Sequence, residues 1–396
     1  MQSLSLNNPW NFTTLGWFKG NALNAIGEGE DTLDRAKLTD FIEALRELGL
    51  NEVRIPLTNN DKQKNGPLHQ ILNAVPNASE IINTIINKIK NNNERIGLEI
   101  LGLVRLIVEN DPLWNAGPVN NKITMKYLIA ELPASARGFL VTKLVRDTRY
   151  FRPLLRDIAL AFLGSILTFV NYMPSEGGIR YIYIGMSQDA WRALSGEGSA
   201  MDIVRRFRLI RNIFRQVFNV EFSLPLEFAL IYATAIILQY LSQYLRYILS
   251  EQIRRHLMIG NYYLEILTLS REARSQNFVT QLDTYSINDY LIALRRTRMT
   301  RLITSLAGLL RHYECFKDNK GLAKDIAGLL NDVTVRVVRF VSNNDCSEIA
   351  ELTYGVRSFI AEWGDVISNV KCKKHSNMIH QRIVERLESG LELVRC

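Results

Sequence analysis

The sequence has few cysteines and carries no export pattern. Only four cysteines occur among its 396 residues, at positions 315, 346, 372 and 396. A secreted chain of this size would be expected to show a paired cysteine framework, so this usage favours a reducing compartment. The opening residues contain no basic stretch followed by an apolar run, and no signal peptide is expected. These features predict a cytoplasmic location.

Long hydrophobic runs are also missing. The two most apolar stretches cover residues 158–170 and 224–238. A membrane-spanning helix needs about 20 consecutive apolar residues, and both stretches fall short of that length. We therefore predict that both are buried core helices and that the protein does not bind a membrane.

Familiar catalytic motifs are absent from the sequence. It contains no Gly-Lys-Ser/Thr phosphate loop, no HExxH, no GxSxG and no GxGxxG pattern, and no short Arg–His motif of the kind found in helical defence ribonucleases. Cys372, His375 and His380, with Cys346 as a fourth ligand, could hold zinc, although structural zinc sites usually have paired cysteines. We predict no cofactor, no metal and no catalytic residue, and favour a binding protein over an enzyme.

Lysine is missing from one long internal stretch that is rich in arginine. Residues 144–316 contain 21 Arg, 14 Asp plus Glu and no Lys, which leaves this stretch with +7 of the chain's net charge of +8. The planar guanidinium group matches phosphate oxygens and stacks on bases, which an ammonium group cannot do. The pattern favours contact with a nucleic-acid backbone, and the alternative is ordinary pairing with the 14 acids.

The best single element of this stretch is a predicted helix over residues 201–218. At about 100° per residue, four arginines fall within an arc of about 120°, opposite a face of Phe, Ile and Val. We call these four residues the arginine ridge: Arg205, Arg208, Arg211 and Arg215. The ridge is expected to project outward as a track for sugar–phosphate chains, and Ser199 is expected to cap the helix.

Further candidate nucleic-acid contacts lie on either side of the ridge. They are Arg146, Arg149, Arg152, Arg156, Arg254 and Arg255. Tyr150 and Phe151 lie within the first group and could stack on unpaired bases, or could equally be core residues. The basic group at residues 295–301 is spread around a helix, and we interpret it as a solvated surface.

The order of predicted elements indicates a mainly α protein. We expect a mixed α/β amino-terminal part with few short strands (1–115), an Arg-rich central region with a short strand at 179–186 (116–220) and a carboxy-terminal helical bundle (221–396). The opening residues 1–30, which contain several glycines, are predicted to be irregular or to form short extended structure. Every segment after Met201 is predicted to be helical, including residues 251–269 and 286–316.

The overall layout is similar to a known family. A Trp- and Gly-rich opening (PWNFTTLGWFKGNALNAIG, residues 9–27), a mixed amino-terminal part, an Arg-only basic middle and a helical carboxy-terminal bundle resemble the large subunit of archaeal type I-A CRISPR effector complexes, the Csa-type Cascade component. The resemblance covers the whole chain in layout and includes no catalytic motif.

The resemblance implies a non-catalytic subunit in antiviral defence. Such a protein would contact crRNA and target DNA, help to recognise the protospacer-adjacent motif, and act beside other Cascade subunits and a separate helicase–nuclease. The family pattern assigns no residue of this chain to motif reading. Two alternatives stay open: a helical scaffold or protein-interaction module, and a defence-system ribonuclease without a recognisable motif.

Overall fold

A computed structural model of the chain confirms the mainly α class, with one small four-stranded sheet. It divides into two compact units, Met1–Arg205 with Glu265–Thr284, and Arg206–Leu264 with Tyr285–Cys396. The structure describes residues 14–29, 32–49, 79–90, 97–116, 154–175, 178–196, 198–218, 224–244, 260–272, 278–370 and 377–396.

The first unit contains helices from the start of the chain and the sheet. Its helices are α1 (Thr14–Ile26), α2 (Arg35–Glu47), α3 (Ser79–Lys90), α4 (Gly97–Glu109), the short α5 (Asp111–Trp114), α6 (Leu155–Thr168) and α7 (Gln188–Ser195). Helix α8 (Ala200–Val217) begins in the first unit, and its residues from Arg206 onward belong to the second unit. The strands are β1 (Phe169–Ser175), β2 (Gly178–Met186), β3 (Tyr263–Glu272) and β4 (Phe278–Ser286), in the order β1-β2-β3-β4.

Helix α6 is the centre of the first unit, since nearly all of its side chains are buried. It packs against α1 and α4. Gly164 lets α1 approach closely, because a Cβ atom built there would lie 1.9 Å from the backbone oxygen of Phe18. The apolar stretch 158–170 is thus a core helix that continues into a strand.

Strands β1 and β2 pair in antiparallel register, with Tyr172 opposite Tyr181. A bulge between Phe169 and Asn171 shifts that register. The strand predicted at residues 179–186 is confirmed as β2. Strand β1 was not predicted, because the helical pattern of α6 runs on into its first residues.

The second unit is built mainly of helices. They are α9 (Leu226–Tyr244), α10 (Asn288–Thr297), α11 (Thr300–Arg311), the short α12 (Tyr313–Phe316), α13 (Lys320–Asn343), α14 (Cys346–Asn369) and α15 (Asn377–Leu391). Helix α11 packs against α9 and α15, and α14 packs against α13 and α15. A disulfide joins Cys346 to Cys396, with their Cα atoms 5.7 Å apart, whereas the cysteine usage predicts a reducing compartment, in which disulfides are rare.

Three sequence predictions of local structure are wrong. Residues 14–26 form α1 rather than an irregular segment, because Phe18 and Ala22 are fully buried and packing overrides the two glycines. Residues 263–269 lie in β3 and 278–286 in β4, although everything after Met201 was expected to be helical. The helix expected at 286–316 is interrupted at Arg298, which has φ of 55°.

Two further sequence patterns fall outside the described residues. The weak alternation at 52–57 is compatible with a short strand, and the sequence within 122–145 predicts two helices. In the part of the chain that is described, no helix combines the length and the apolar character required to cross a membrane.

Candidate functional site

Five of the ten candidate arginines lie in described parts of the chain: Arg156, Arg205, Arg208, Arg211 and Arg215. The other five lie outside the described residues: Arg146, Arg149, Arg152, Arg254 and Arg255. The structure therefore places the arginine ridge but leaves the flanking groups undescribed, apart from Arg156, which is half-buried in the first turn of α6.

The sequence of α8 explains why this helix begins where it does. The Asp202 carboxylate accepts hydrogen bonds from the backbone N–H and the hydroxyl of Ser199, at 3.1 and 2.8 Å. The Ser199 hydroxyl accepts one in return from the Asp202 N–H at 3.3 Å. This reciprocal cap satisfies N–H groups that a helix leaves unpaired at its start, and it confirms the expected role of Ser199.

The core face of α8 is the predicted one. Its large apolar side chains are buried, and the set comprises Phe207, Ile210, Ile213 and Phe214. This anchoring fixes the rotation of the helix about its own axis. The opposite side of α8 is therefore held in one orientation, which is what a fixed binding surface requires.

The four ridge arginines do not share one environment. Arg205 and Arg208 are exposed and Arg215 is half-buried, whereas Arg211 is only 3% exposed. The helical angle accounts for the difference, because Arg211 lies about 40° from the buried Phe207 and so borders the core face. The expected outward track is thus reduced to Arg205 and Arg208, with Arg215 at its margin.

Arg205 and Arg208 have no carboxylate partner among the described residues. Arg336 in α13 provides the contrast. Its guanidinium group binds Asp332, Glu348 and Glu351, and its pKa is raised chiefly by the hydrogen bond to Glu348. The chain therefore contains arginines that pair with acids and, on α8, two that no described carboxylate neutralises.

A cluster of buried polar side chains in the first unit is best explained as structural. The side-chain oxygen Oδ1 of Asn21 accepts hydrogen bonds from the Met186 backbone N–H and the Trp191 indole N–H, both at 3.0 Å. Lys19 binds Asp157 at 2.6 Å, and both side chains are almost completely buried. These groups satisfy one another and tie α1 to β2, α6 and α7, which leaves them little capacity to bind a ligand.

The possible zinc site noted in the sequence lacks one of its four ligands. Cys346 is joined to Cys396 and cannot serve as a thiolate. Cys372 and His375 lie outside the described residues. Within the described ranges, no group of three or more His, Cys, Asp or Glu residues is arranged to hold a metal ion.

A cavity of about 340 Å³ in the second unit was not predicted. Helices α9, α11 and α15 form most of its wall, and α8 adds Leu209. Its charged lining residues are Arg301, Arg311 and Arg386. From the sequence, the basic group that includes Arg301 is predicted to be a solvated surface.

No protein-family model matches the chain, and neither a curated protein nor a solved structure resembles it significantly. The functional argument therefore depends on the chemistry of these surfaces.

Proposed function

We propose that this chain is a non-catalytic nucleic-acid-binding subunit of an RNA-guided antiviral complex, of the CRISPR interference type. The observation that carries the proposal is the pair of exposed arginines on α8, Arg205 and Arg208, which lack carboxylate partners among the described residues. The layout of the sequence, which is similar to the large subunit of archaeal type I-A complexes, gives the finer part of the proposal.

The physical basis is the match between guanidinium groups and phosphates. Arg205 and Arg208 lie three residues apart, so they occupy neighbouring positions on one face of α8. Like charges at this spacing repel each other by a few tenths of a kcal/mol, and a bound polyanion removes that repulsion. A sugar–phosphate chain lying across α8 would release counterions and gain two charge-assisted contacts.

In this proposal, the protein positions nucleic acid and does not read most of its sequence. Arginine contacts to phosphates fix the register of a strand without distinguishing bases. Guide pairing supplies sequence recognition in RNA-guided complexes, and the protein recognises a short motif and the backbone. The proposed partners are crRNA, target DNA with its protospacer-adjacent motif, other Cascade subunits and a helicase–nuclease, and the proposed location is the cytoplasm.

The test is the salt dependence of binding by the full chain. Affinity for a labelled single-stranded RNA and for a DNA duplex is measured between 50 and 400 mM KCl, for the wild type and for the double variant Arg205→Glu, Arg208→Glu. The slope of log K against log salt is negative, and each lost phosphate contact makes it shallower by about 0.7 for single strands and about 0.9 for duplex DNA. Loss of two contacts should therefore make the slope shallower by about 1.4 and about 1.8 respectively.

A matched control separates this local contact from a general effect of net charge. The double variant Lys324→Glu, Arg357→Glu makes the same charge change at two exposed cations that have no carboxylate partner among the described residues. This control should keep nearly the wild-type slope. If both double variants make the slope shallower by the same amount, or if neither changes it, α8 is not the nucleic-acid surface.

A further inference from the structure

The cavity in the second unit has the size and lining of a small-molecule site. Its volume of about 340 Å³ lies at the lower end of the range for such pockets, roughly 300–1,000 Å³. The residues that line it are Leu209, Tyr232, Ile236, Gln239, Tyr240, Arg301, Thr304, Ser305, Gly308, Arg311, Ile383 and Arg386. All of them belong to the second unit.

The described residues that line this cavity are cationic or uncharged, and none of them is an acid. Arg301 and Arg311 come from α11 and Arg386 comes from α15. Each of the three is exposed to solvent and has no carboxylate partner among the described residues. Three guanidinium groups around one space repel one another, and an anion bound among them would offset that repulsion.

One face of α11 lines the cavity. Five of its residues line the space, Arg301, Thr304, Ser305, Gly308 and Arg311, and at about 100° per residue they fall within an arc of about 120°. The buried apolar residues Leu302, Ile303 and Leu306 lie on the remainder of the helix. The polar stripe is therefore held toward the cavity by the core packing of α11.

A tyrosine of the cavity wall has a buried hydroxyl group that is unsatisfied in the described part of the chain. Tyr232 is fully buried, and its hydroxyl forms no hydrogen bond with any described residue. Burial raises the pKa of this phenol, and the charge of Arg311 only partly opposes that effect, so the group keeps its proton at neutral pH. An unsatisfied buried hydroxyl costs about 1–3 kcal/mol, and an anionic oxygen in the cavity would remove that cost by accepting a hydrogen bond from it.

The cavity wall also contains apolar and uncharged polar side chains. Ile236 and Ile383 supply apolar surface, and Gln239 supplies an amide that can both donate and accept. The Tyr240 ring is stacked by the Arg206 guanidinium, 4.1 Å from the ring centroid. Arginine-backed aromatic rings and amide groups of this kind are suited to a flat heterocycle, and arginines to its phosphate.

We propose that this cavity binds a nucleotide through its terminal phosphate, with Arg301, Arg311, Arg386 and the Tyr232 hydroxyl around the phosphate and Tyr240 beside the base. The shared chemistry is a nucleoside phosphomonoester, which a free nucleotide and the 5′-phosphorylated end of a strand both present. The residues proposed to bind the phosphate differ from Arg205 and Arg208, on which the proposed function depends.

Calorimetric titration of the full chain tests the proposal, with adenosine 5′-monophosphate, adenosine and inorganic phosphate as probes. The monophosphate should bind saturably, and adenosine and inorganic phosphate should each bind at least tenfold more weakly. Tyr232→Phe removes one hydroxyl that has no partner among the described residues and should keep the fold. It should weaken monophosphate binding about tenfold, the size of a hydrogen bond to a charged group.

Further variants keep the test decisive. Arg311→Gln and Arg386→Gln change exposed side chains and should each weaken binding about tenfold or more, whereas the control Arg357→Gln should not. Saturable binding that Tyr232→Phe and both arginine variants leave unchanged would overturn the proposal. So would the absence of monophosphate binding, or equal binding of adenosine or of inorganic phosphate.

The source of the nucleotide is distinguished in the Arg205→Glu, Arg208→Glu background, in which backbone contacts at α8 are removed. A deoxyadenosine decamer with a 5′ phosphate is compared with the same decamer carrying a 5′ hydroxyl. Competition between the phosphorylated decamer and the monophosphate supports a strand end, and binding of the monophosphate alone supports a free nucleotide. Equal binding of both decamers would contradict recognition of the phosphomonoester.

Discussion

The contact between α1 and α6 makes a prediction in which one methyl group has opposite effects at two glycines. A Cβ atom at Gly164 would lie 1.9 Å from the Phe18 oxygen and 2.6 Å from its carbonyl carbon. Ordinary van der Waals contact begins at 3.4 Å, so the two helices must separate by about 1.5 Å in Gly164→Ala. The obstacle is backbone, and no change of rotamer can relieve it.

The expected cost follows from two opposing terms. Overpacking of a well-packed core typically costs about 1–3 kcal/mol, and a gap of 0.5–1 Å removes roughly a quarter to a half of the dispersion energy of the contacting atoms. Replacing glycine with alanine inside a helix stabilises the helix by roughly 1 kcal/mol, because alanine has the higher helix propensity. Because the required displacement exceeds that gap, Gly164→Ala should destabilise the first unit by about 2 kcal/mol.

Gly102 in α4 provides the matched control. It also lies inside a helix of the first unit, but nothing described lies within 4 Å of a Cβ atom built there. Gly102→Ala should therefore stabilise the unit by about 0.5–1 kcal/mol, through helix propensity alone.

Amide hydrogen exchange of α1 and α6 measures both variants, because it reports the free energy of opening of one unit in a chain that has two. Gly164→Ala should accelerate exchange in both helices, and Gly102→Ala should slow it or leave it unchanged. If the two variants changed stability in the same direction, the close approach at Gly164 would not control this packing.

Two further predictions concern Glu265 and the disulfide. Burial raises the pKa of Glu265 above its ordinary value, and a hydrogen bond from the Trp17 indole at 2.6 Å only partly opposes this. The folded state then binds more protons than the unfolded state, so stability should fall as pH rises from the unfolded pKa through the folded one. In thermal unfolding between pH 4 and pH 7, Glu265→Gln should remove that decline in stability. An unchanged pH profile in this variant would contradict the assignment to Glu265. Opening the loop of 50 residues between Cys346 and Cys396 with Cys396→Ser should destabilise the second unit by about 4 kcal/mol on the chain-entropy model; equal urea midpoints with and without the cysteine would contradict this.

Local patterns predicted the elements whose burial follows a single period. Helix α2 shows this, since Leu38, Phe41, Ile42 and Leu45 are all buried at helical spacing. The fixed helical period also placed the core face of α8, but the prediction assigned the border residue Arg211 to the outward ridge. What the period alone could not give was the depth to which that border residue is buried, which depends on neighbouring elements.

Strand β3 illustrates what local patterns could not decide. Its buried residues Leu264, Ile266, Leu267 and Leu269 fit both an alternating and a helical spacing. The choice between them depends on sheet neighbours such as β2, which is distant in the sequence. Arg298 is a similar case, because an arginine with φ of 55° has no local sequence signal for the break that it makes between α10 and α11.

The cavity was missed for a different reason, because part of its signal was present in the sequence. Arg301, Thr304, Ser305 and Arg311 form a polar stripe on a helix that is otherwise largely apolar, and Tyr232 lies in the apolar part of helix α9. A polar stripe on a single helix is equally consistent with solvent and with a binding site. Only the packing of α9, α11 and α15 brings the stripe into one cavity with Arg386 and with Tyr232, whose hydroxyl has no hydrogen-bond partner among the described residues. That arrangement, rather than the number of arginines, distinguishes a site from a charged surface.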